Sequence, residues 1–419
     1  MGRAAQERAS QGWDVLHIVT SLELGGAQLA TLYEVEHTRL VRGRHLAFGP
    51  GGLLELEARS LAGVTCHKIP TLLREVAPLF DAQALLGLVR LVRTLRRAGA
   101  GRRLLVHTHS SKAGILGRWA AFLGGADLVV HSIHGFGHPH HGPSLTRRVL
   151  RLAEQLTAFV TDGFTADSAA NIRDGRRDRL VRRQPATVVR CGIDVDELTR
   201  RPKAREQLRT TLGIAPREAV VLSVACLKPQ KDPLTLVRVA EQVLRVRPTT
   251  WFLLAGDGEL RAASESLARD LGIAERVRFL GWRRDIAELM QASDVLLLTS
   301  RWEGLPQVLP QAMAAGLAVV ATSVDGNPEA IEHEHNGLLC QSGDVPALAR
   351  ATLRLLGDRA LRQAFVRVGK ERVAAFSREQ MVRDLDAFYA RLVDEGVSRA
   401  PVRRLLLRLL PRLLDESVA

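Results

Sequence analysis

Cysteine is scarce in this chain. Cys66, Cys191, Cys226 and Cys340 are the four in 419 residues. They are far apart and form no pair with metal-ligand spacing, which argues against a disulfide framework and fits a reducing compartment, the cytoplasm. Aromatic residues are only 4%, too few for a stacking platform on single-stranded nucleic acid. No run of eighteen apolar residues occurs, so no transmembrane helix is expected. The opening MGRAAQERASQG is polar and runs straight into an apolar stretch, without the form of a signal peptide. Lysine is rare among the 59 basic residues, being confined to Lys68, Lys112, Lys203, Lys228, Lys231 and Lys370. The net charge of +14 is therefore carried mainly by Arg, and such an excess implies a polyanionic partner. That partner is not expected to be nucleic acid, because no nucleic-acid motif is present and the arginines are spread along the chain. Neither a Gly-x-Gly-x-x-Gly dinucleotide fingerprint nor a phosphate-binding P-loop appears.

What the chain has is a rhythm of apolar strands and amphipathic helices. Strands are expected at Trp13–Thr20, His45–Phe48, Arg103–His107, Asp127–His131, Ala158–Ala166 and Val188–Val189. Helices are expected after Gly25-Gly26 and over Ala82–Arg97, Ala113–Leu123 and Leu145–Ala158. The charged stretch Asp194–Arg217, with Pro202 and Pro216, reads as a hinge. The rhythm then restarts with strands at Ala219–Ala225, Trp251–Ala255 and Val277–Leu280. Alternation at this pitch means βαβ units and parallel sheets. The expected division is 1–193, 194–377, a returning helix within 378–398, and a basic amphipathic tail over 399–419. In that tail Arg404, Arg408 and Arg412 form a stripe among leucines. Such a stripe suits either an interfacial membrane helix or one docked on the protein's own surface.

The chemistry centres on TSRWEGLPQVLPQAMAAGLAVVA, residues 299–321. A buried strand, Val295–Leu298, leads into a loop with one acid, Glu303, followed by Gly304. A helix is expected to start near Pro306 and stop near Gly316, before a second strand at Leu317–Ala321. A helix start beside an acid suits phosphate and sugar oxygens, although Glu303 could equally serve only as the helix cap. Pro310 is expected to remove a hydrogen bond from the helix's second turn. Elsewhere, Gly25-Gly26 leaves amides free at a helix start, or is just a tight turn. His109, Ser110 and Lys112 cluster at a strand's C-terminal end, where open α/β sheets bind ligands. His131, His134, His138, His140 and His141 invite a metal reading, but no Cys or acid accompanies them and most lie in a Gly/Pro-rich loop, so no metal site is expected. Asp194-Val195-Asp196 has the form of an acid pair for a cation but lies where the chain leaves the first domain.

These stretches together resemble glycosyltransferase family 4, the retaining, nucleotide-sugar-dependent enzymes of bacterial polysaccharide assembly. Glu303, Gly304, Leu305, Pro306, Ala312, Met313, Ala314 and Gly316 match the family's donor-sugar motif. GGAQ, HTHSSKAGILGR, HGF, KPQKDP and GDGE follow in family order, and the likeness covers roughly Trp13 to Val393. Two positions depart. The family's second Glu is Gln311, which can accept a hydrogen bond without the charge. Its phosphate-binding Arg is Cys226, with Lys228 as a substitute.

The resemblance implies an α/β protein of GT-B architecture, two facing Rossmann-like domains with a donor cleft between them. It implies a metal-independent, retaining hexosyltransferase taking a nucleotide-diphosphate sugar and no further cofactor, with a glycan or lipid-linked acceptor. By the same likeness Glu303 and His134 are catalytic. Gly25, Gly26, Lys231, Glu303, Gly304, Leu305 and Gln311 bind the donor, and His109 and Lys112 lie on the acceptor side. The expected location is cytoplasmic, peripheral at an anionic inner-membrane face. Two other readings stand beside this one: a sugar-nucleotide epimerase of the same fold, for which no set of acid/base carboxylates is identifiable, and a degenerate, non-catalytic transferase-like scaffold.

Overall fold

A computed structural model describes residues 12–99, 101–135, 144–199 and 204–394. Its backbone divides into two compact units, Met1–Cys191 with Met381–Ala419, and Gly192–Gln380. The first is built on seven parallel strands, β1 (Trp13–Val19), β2 (Gly43–Phe48), β3 (Val64–Lys68), β4 (Arg103–His109), β5 (Leu128–Ile133), β6 (Gly163–Ala166) and β7 (Ala186–Val188). They lie in the order β3-β2-β1-β4-β5-β6-β7. Every residue of β1 and β5 is buried, as expected of parallel strands with helices on both faces. What is unusual is what they bury. His17 pairs in register with His107 across β1 and β4, and Thr108 with His131 across β4 and β5, so histidines occupy the middle of an otherwise aliphatic sheet.

The helix Pro78–Ala98 packs Ala84, Leu88, Val92 and Leu95 inward at three- and four-residue spacing. The helix Arg378–Asp394 belongs to the first unit from Met381 onward: Met381, Leu385, Phe388, Tyr389 and Leu392 join Trp13, Val15 and Val130 in one core. That contact explains a glycine in β6, because a Cβ on Gly163 would meet Leu392 and Phe388 at 2.9 Å.

The second unit carries six parallel strands, β8 (Val220–Val224), β9 (Trp251–Ala255), β10 (Val277–Gly281), β11 (Val295–Leu298), β12 (Ala318–Thr322) and β13 (Leu338–Cys340), in the order β10-β9-β8-β11-β12-β13. β11 is VLLL and buried throughout, at roughly 1.5–3 kcal/mol of transfer free energy per side chain. Among the described residues, no helix is long and apolar enough to cross a membrane.

Three local expectations are corrected. The stretch from Ala158 is a 3-10 turn, Ala158–Val160, before the strand proper. The charged 194–217 segment is not a bare hinge: it forms the helices Val195–Thr199 and Ala204–Thr211. The second is tied down by Arg205 and Arg209, which grip the two carboxylate oxygens of Asp294 at 2.8 and 2.9 Å. The central helix is Val308–Ala315, with Gln307 as its cap residue. Pro310 is therefore in its first turn, where no N–H has an intrahelical partner. The first bond is donated by Gln311 N to Gln307 O, so the proline removes nothing. His138, His140, His141 and the tail 399–419 lie outside the described residues.

Candidate active site

Each sheet has one place where the strand order reverses, and in open α/β sheets the crevice outside the carboxyl ends of the strands at that place is where ligands bind. In the second unit it is between β8 and β11. The turn after β8 carries Lys231, and the loop after β11 carries Glu303. The fold brings them together: Lys231 Nζ is 2.5 Å from Glu303 Oε1, which also accepts from Ser300 Oγ at 2.5 Å. Gln230 Nε2 approaches Glu303 Oε2 at 3.4 Å, and the Glu303 amide donates to Asp325 Oδ2 at 2.6 Å. Glu303 is only 4% exposed. A buried carboxylate needs such a set of donors, and none of them belongs to a helix start. The capping alternative for Glu303 therefore fails, since the cap residue is Gln307 and no side chain caps that helix.

The backbone around the pair is shaped for it. Asp232, next to Lys231, has φ of 47°, caps the following helix through Thr235 N, and accepts from Arg301 Nε at 2.8 Å. Gly256 opens the neighbouring loop at φ of 135°, with a Cβ position 2.0 Å from Ala225 O, so only glycine fits there. Leu305 is buried in the hydrophobic core, five residues before Pro310, and Gln311 is half-buried on the helix. Sequence reasoning missed Ser300, Arg301 and Asp325. All three sit within or just after the central motif, and the signal was their polarity next to fully apolar strands.

In the first unit the order reverses between β1 and β4. Gly25 caps the helix Gly26–His37 in extended conformation, with no side-chain cap and no acid in the first turn. The helix start is left to bind an anion through backbone amides. Ser110, just after β4, takes φ of 62° and shares a hydrogen bond with Thr20 Oγ1 at 2.8 Å. A non-glycine residue held in the left-handed region marks a site that the surroundings over-determine.

His109 and His134 are brought together; Lys112 is not part of that group. Lys112 pairs with Asp81 at 2.5 Å and donates to the Glu75 carbonyl. His109 makes its contacts inward: Nε2 lies 3.0 Å from His17 Nδ1, and Nδ1 lies 3.1 Å from His134 Nε2. His134 Nδ1 in turn meets Asp167 at 3.1 Å. Asp167 follows β6 directly and was not singled out in the sequence. Burial lowers the proton affinity of His134, but Asp167, by charge and hydrogen bond, and Glu34 outweigh it, and the net shift is upward. His107 and His109 are both held well below the usual range by burial first and neighbouring histidines second. The result is a relay in which Asp167 fixes which nitrogen of His134 carries the proton. Asp194, the first of the acid pair, is occupied by Arg378 and by the Glu197 amide.

Known proteins resemble this chain in sequence and fold. The family described as Glycosyl transferases group 1 matches residues 204–372, and Glycosyltransferase Family 4 matches residues 46–197. A D-inositol 3-phosphate glycosyltransferase of Mycobacterium sp. (strain KMS) is 36% identical over 317 residues, covering 71% of this chain and 68% of the relative. A UDP-Gal:alpha-D-GlcNAc-diphosphoundecaprenol alpha-1,3-galactosyltransferase of Escherichia coli is 29% identical over 296 residues, covering 70% and 75%. Among solved structures, Anabaena HepE in complex with UDP-glucose superposes with a TM-score of 0.77 at 22% identity, covering 90% of this chain and 100% of that one.

Proposed function

The chain belongs to glycosyltransferase family 4, and from that premise we propose that it moves a hexose from a nucleoside-diphosphate sugar to a hydroxyl of a glycan or lipid-linked acceptor, retaining the anomeric configuration. The observation that carries this reading is the Lys231–Glu303 pair at the switch point of the second sheet. It offers one cation to a diphosphate and one carboxylate to sugar hydroxyls. Two names among the similar proteins point the same way: HepE was crystallised with UDP-glucose, and the Escherichia coli relative is named for a UDP-sugar donor and a diphosphate-linked lipid acceptor.

In the proposed reaction the bond from the anomeric carbon to the diphosphate oxygen breaks and the acceptor oxygen bonds to the same face of that carbon. The acceptor's proton passes to an oxygen of the departing diphosphate, so no protein nucleophile is needed. Lys231, with the amides at Gly25, Gly26, Gly304 and Leu305, stabilises the charge that develops on the leaving group. Glu303 orients the donor sugar, and Gln311 takes the ribose. His134, its tautomer set by Asp167, faces the sugar, with His109 acting through it and Lys112 on the acceptor side. Metal-independent transfer is part of this reading: a lysine takes the diphosphate, and Asp194 of the Asp194-Val195-Asp196 acid pair is engaged by Arg378.

The test is release of nucleoside diphosphate from a panel of UDP-, GDP- and ADP-sugars in the presence of prenyl-diphosphate-linked and free glycan acceptors, with anomeric NMR of the product. Glu303→Gln is expected to cut turnover ~10- to 1000-fold with folding intact. Donor binding without turnover in both proteins would favour the scaffold, and a product of inverted configuration would remove retention.

A further inference from the structure

Beneath the helix Gly26–His37, on one face of the first sheet, four potential ligands converge from three separate stretches of chain: His17 on β1, Glu34 on that helix, and His107 and His109 on β4. One donor atom from each lies within 4.8 Å of the others. All four are buried, at 0%, 4%, 0% and 2% exposure. We propose that these four residues form a structural transition-metal site, of the class that takes zinc, within the first unit.

Two observations point to a missing partner. Nε2 of His17 and Oε2 of Glu34 are buried with no hydrogen-bond partner among the described residues. Glu34 is 4% exposed, and its Oε2 has no cation beside it among the described residues. A buried carboxylate facing neutral imidazoles is expensive. A divalent cation would resolve it, because imidazole nitrogen and carboxylate oxygen are both ligands of the zinc class. Two donors on a tetrahedral zinc at about 2.0–2.1 Å are roughly 3.3 Å apart, against the 4.8 Å within which one donor atom of each of the four residues lies.

The surroundings supply what a metal ligand needs outside the first contact. His107 has Tyr389 Oη on Nδ1 at 2.6 Å and Ser132 Oγ on Nε2 at 2.8 Å, so ligation displaces one hydroxyl while the other holds the ring. His109 has His134 and then Asp167 behind it, the carboxylate-histidine support that orients metal-bound imidazole. Such a site would lock the helix that begins at Gly25-Gly26 onto β1 and β4. It shares His109 with the His134 relay of the proposed reaction, but its role is structural and its test does not depend on that reading.

Tag-free full-length protein tests it by metal analysis after purification, and again after unfolding, chelation and refolding with Zn2+ or Co2+. The wild type is expected to hold about one metal per chain, with the visible absorption of four-coordinate Co2+, and to melt at higher temperature with metal than with chelator. Glu34→Gln keeps the shape and removes the charge, so it folds; it and His17→Gln are expected to lose the metal and the metal-dependent rise in melting temperature. His67→Gln, in the separate His45–His67 pair, is expected to keep both. A wild type that holds no metal after refolding with Zn2+ or Co2+ and melts at the same temperature in chelator, or a Glu34→Gln/His17→Gln double variant that still binds one equivalent, overturns the site in favour of a buried water or a protonated Glu34.

Discussion

Glu303 and Lys231 neutralise one another at 2.5 Å, and each is asked to do something else when a donor arrives. Their coupling is therefore measurable apart from activity. Lys231→Ala removes the cation from a carboxylate that is 4% exposed, and breaking a buried pair from one side costs ~3–5 kcal/mol. Lys231→Ala/Glu303→Gln leaves no charge to compensate. It is expected to regain much of the lost stability in guanidinium unfolding while remaining inactive. In calorimetry Lys231→Ala should bind nucleoside diphosphate ~1–3 kcal/mol more weakly. Equal affinity would place the diphosphate elsewhere, and a double variant no more stable than Lys231→Ala would mean that the pair is not coupled.

A second residue-scale expectation concerns pH. The carboxyl of Asp386 is raised to about 6, chiefly by burial, against the Arg39 and Leu40 amides and the charges of Arg39 and Arg44. An acid with a higher pKa folded than unfolded binds more protons in the folded state between the two values. Its contribution is therefore intact below about pH 4 and is lost as pH rises to about 6. Asp386→Asn keeps an acceptor for the Arg39 amide. Its stability relative to wild type should grow across that window by about 1–2 kcal/mol, after discounting for partial exposure, and stay level above it. A difference that does not change with pH would show that Asp386 titrates normally.

At the scale of elements, the central strand-loop-helix-strand shows what a sequence exposes and what it hides. β11 and β12 were readable because parallel strands buried on both faces are unbroken apolar runs. The Val308–Ala315 start was misplaced by two residues, because Pro306 suits a first helical position and nothing local reveals that the chain turns later. The consequence is testable at Pro310. Sitting in the first turn, it should tolerate Pro310→Ala with a change below ~1 kcal/mol, where an interior proline would give ~3 kcal/mol on removal. A denaturation midpoint shifted by the larger amount would return Pro310 to the helix interior. The helices at 195–199 and 204–211 were read as a hinge for a different reason. They are short and polar, and Arg205 and Arg209 reach Asp294 some 85–89 residues on, which no window of periodicity contains. The polar core around His17, Glu34, His107 and His109 was invisible on the same ground. The sequence showed histidines where they were dense, around 131–141, whereas the fold brings His17 of β1 together with His107 and His109 of β4. Glu303, Lys231 and His134 were legible as candidates because each lies in a loop that follows a strand. Asp167 and Asp325 also lie just after strands, but what they meet, His134 and the Glu303 amide, is distant in sequence.

For the whole molecule, the net charge of +14 still needs a partner, and an anionic membrane surface is the one that fits a lipid-linked acceptor. Exposed leucines and arginines already lie side by side in the first unit. The helix Pro78–Ala98 exposes Leu79, Phe80 and Leu86 with Arg90, Arg93 and Arg97, and the helix Ser144–Thr157 exposes Val149, Leu152 and Leu156 with Arg147, Arg148 and Arg151. The tail sequence adds Arg403, Arg404, Arg408 and Arg412 among leucines, with Pro411 between them. Helices that expose apolar and basic residues together suit an interface rather than a span. Each basic residue near an anionic surface contributes ~1 kcal/mol, and salt screens that attraction. Full-length protein is therefore expected to sediment with phosphatidylglycerol vesicles at low salt and to be released as salt rises. Removing residues 400–419 should weaken binding while leaving turnover on a soluble acceptor unchanged. If the truncated protein binds as well as the intact one, the tail is not the anchor, and charge reversal at Arg147, Arg148 and Arg151 becomes the decisive variant. If intact protein stays in the supernatant at low salt, the membrane reading fails and the arginine excess serves another polyanion.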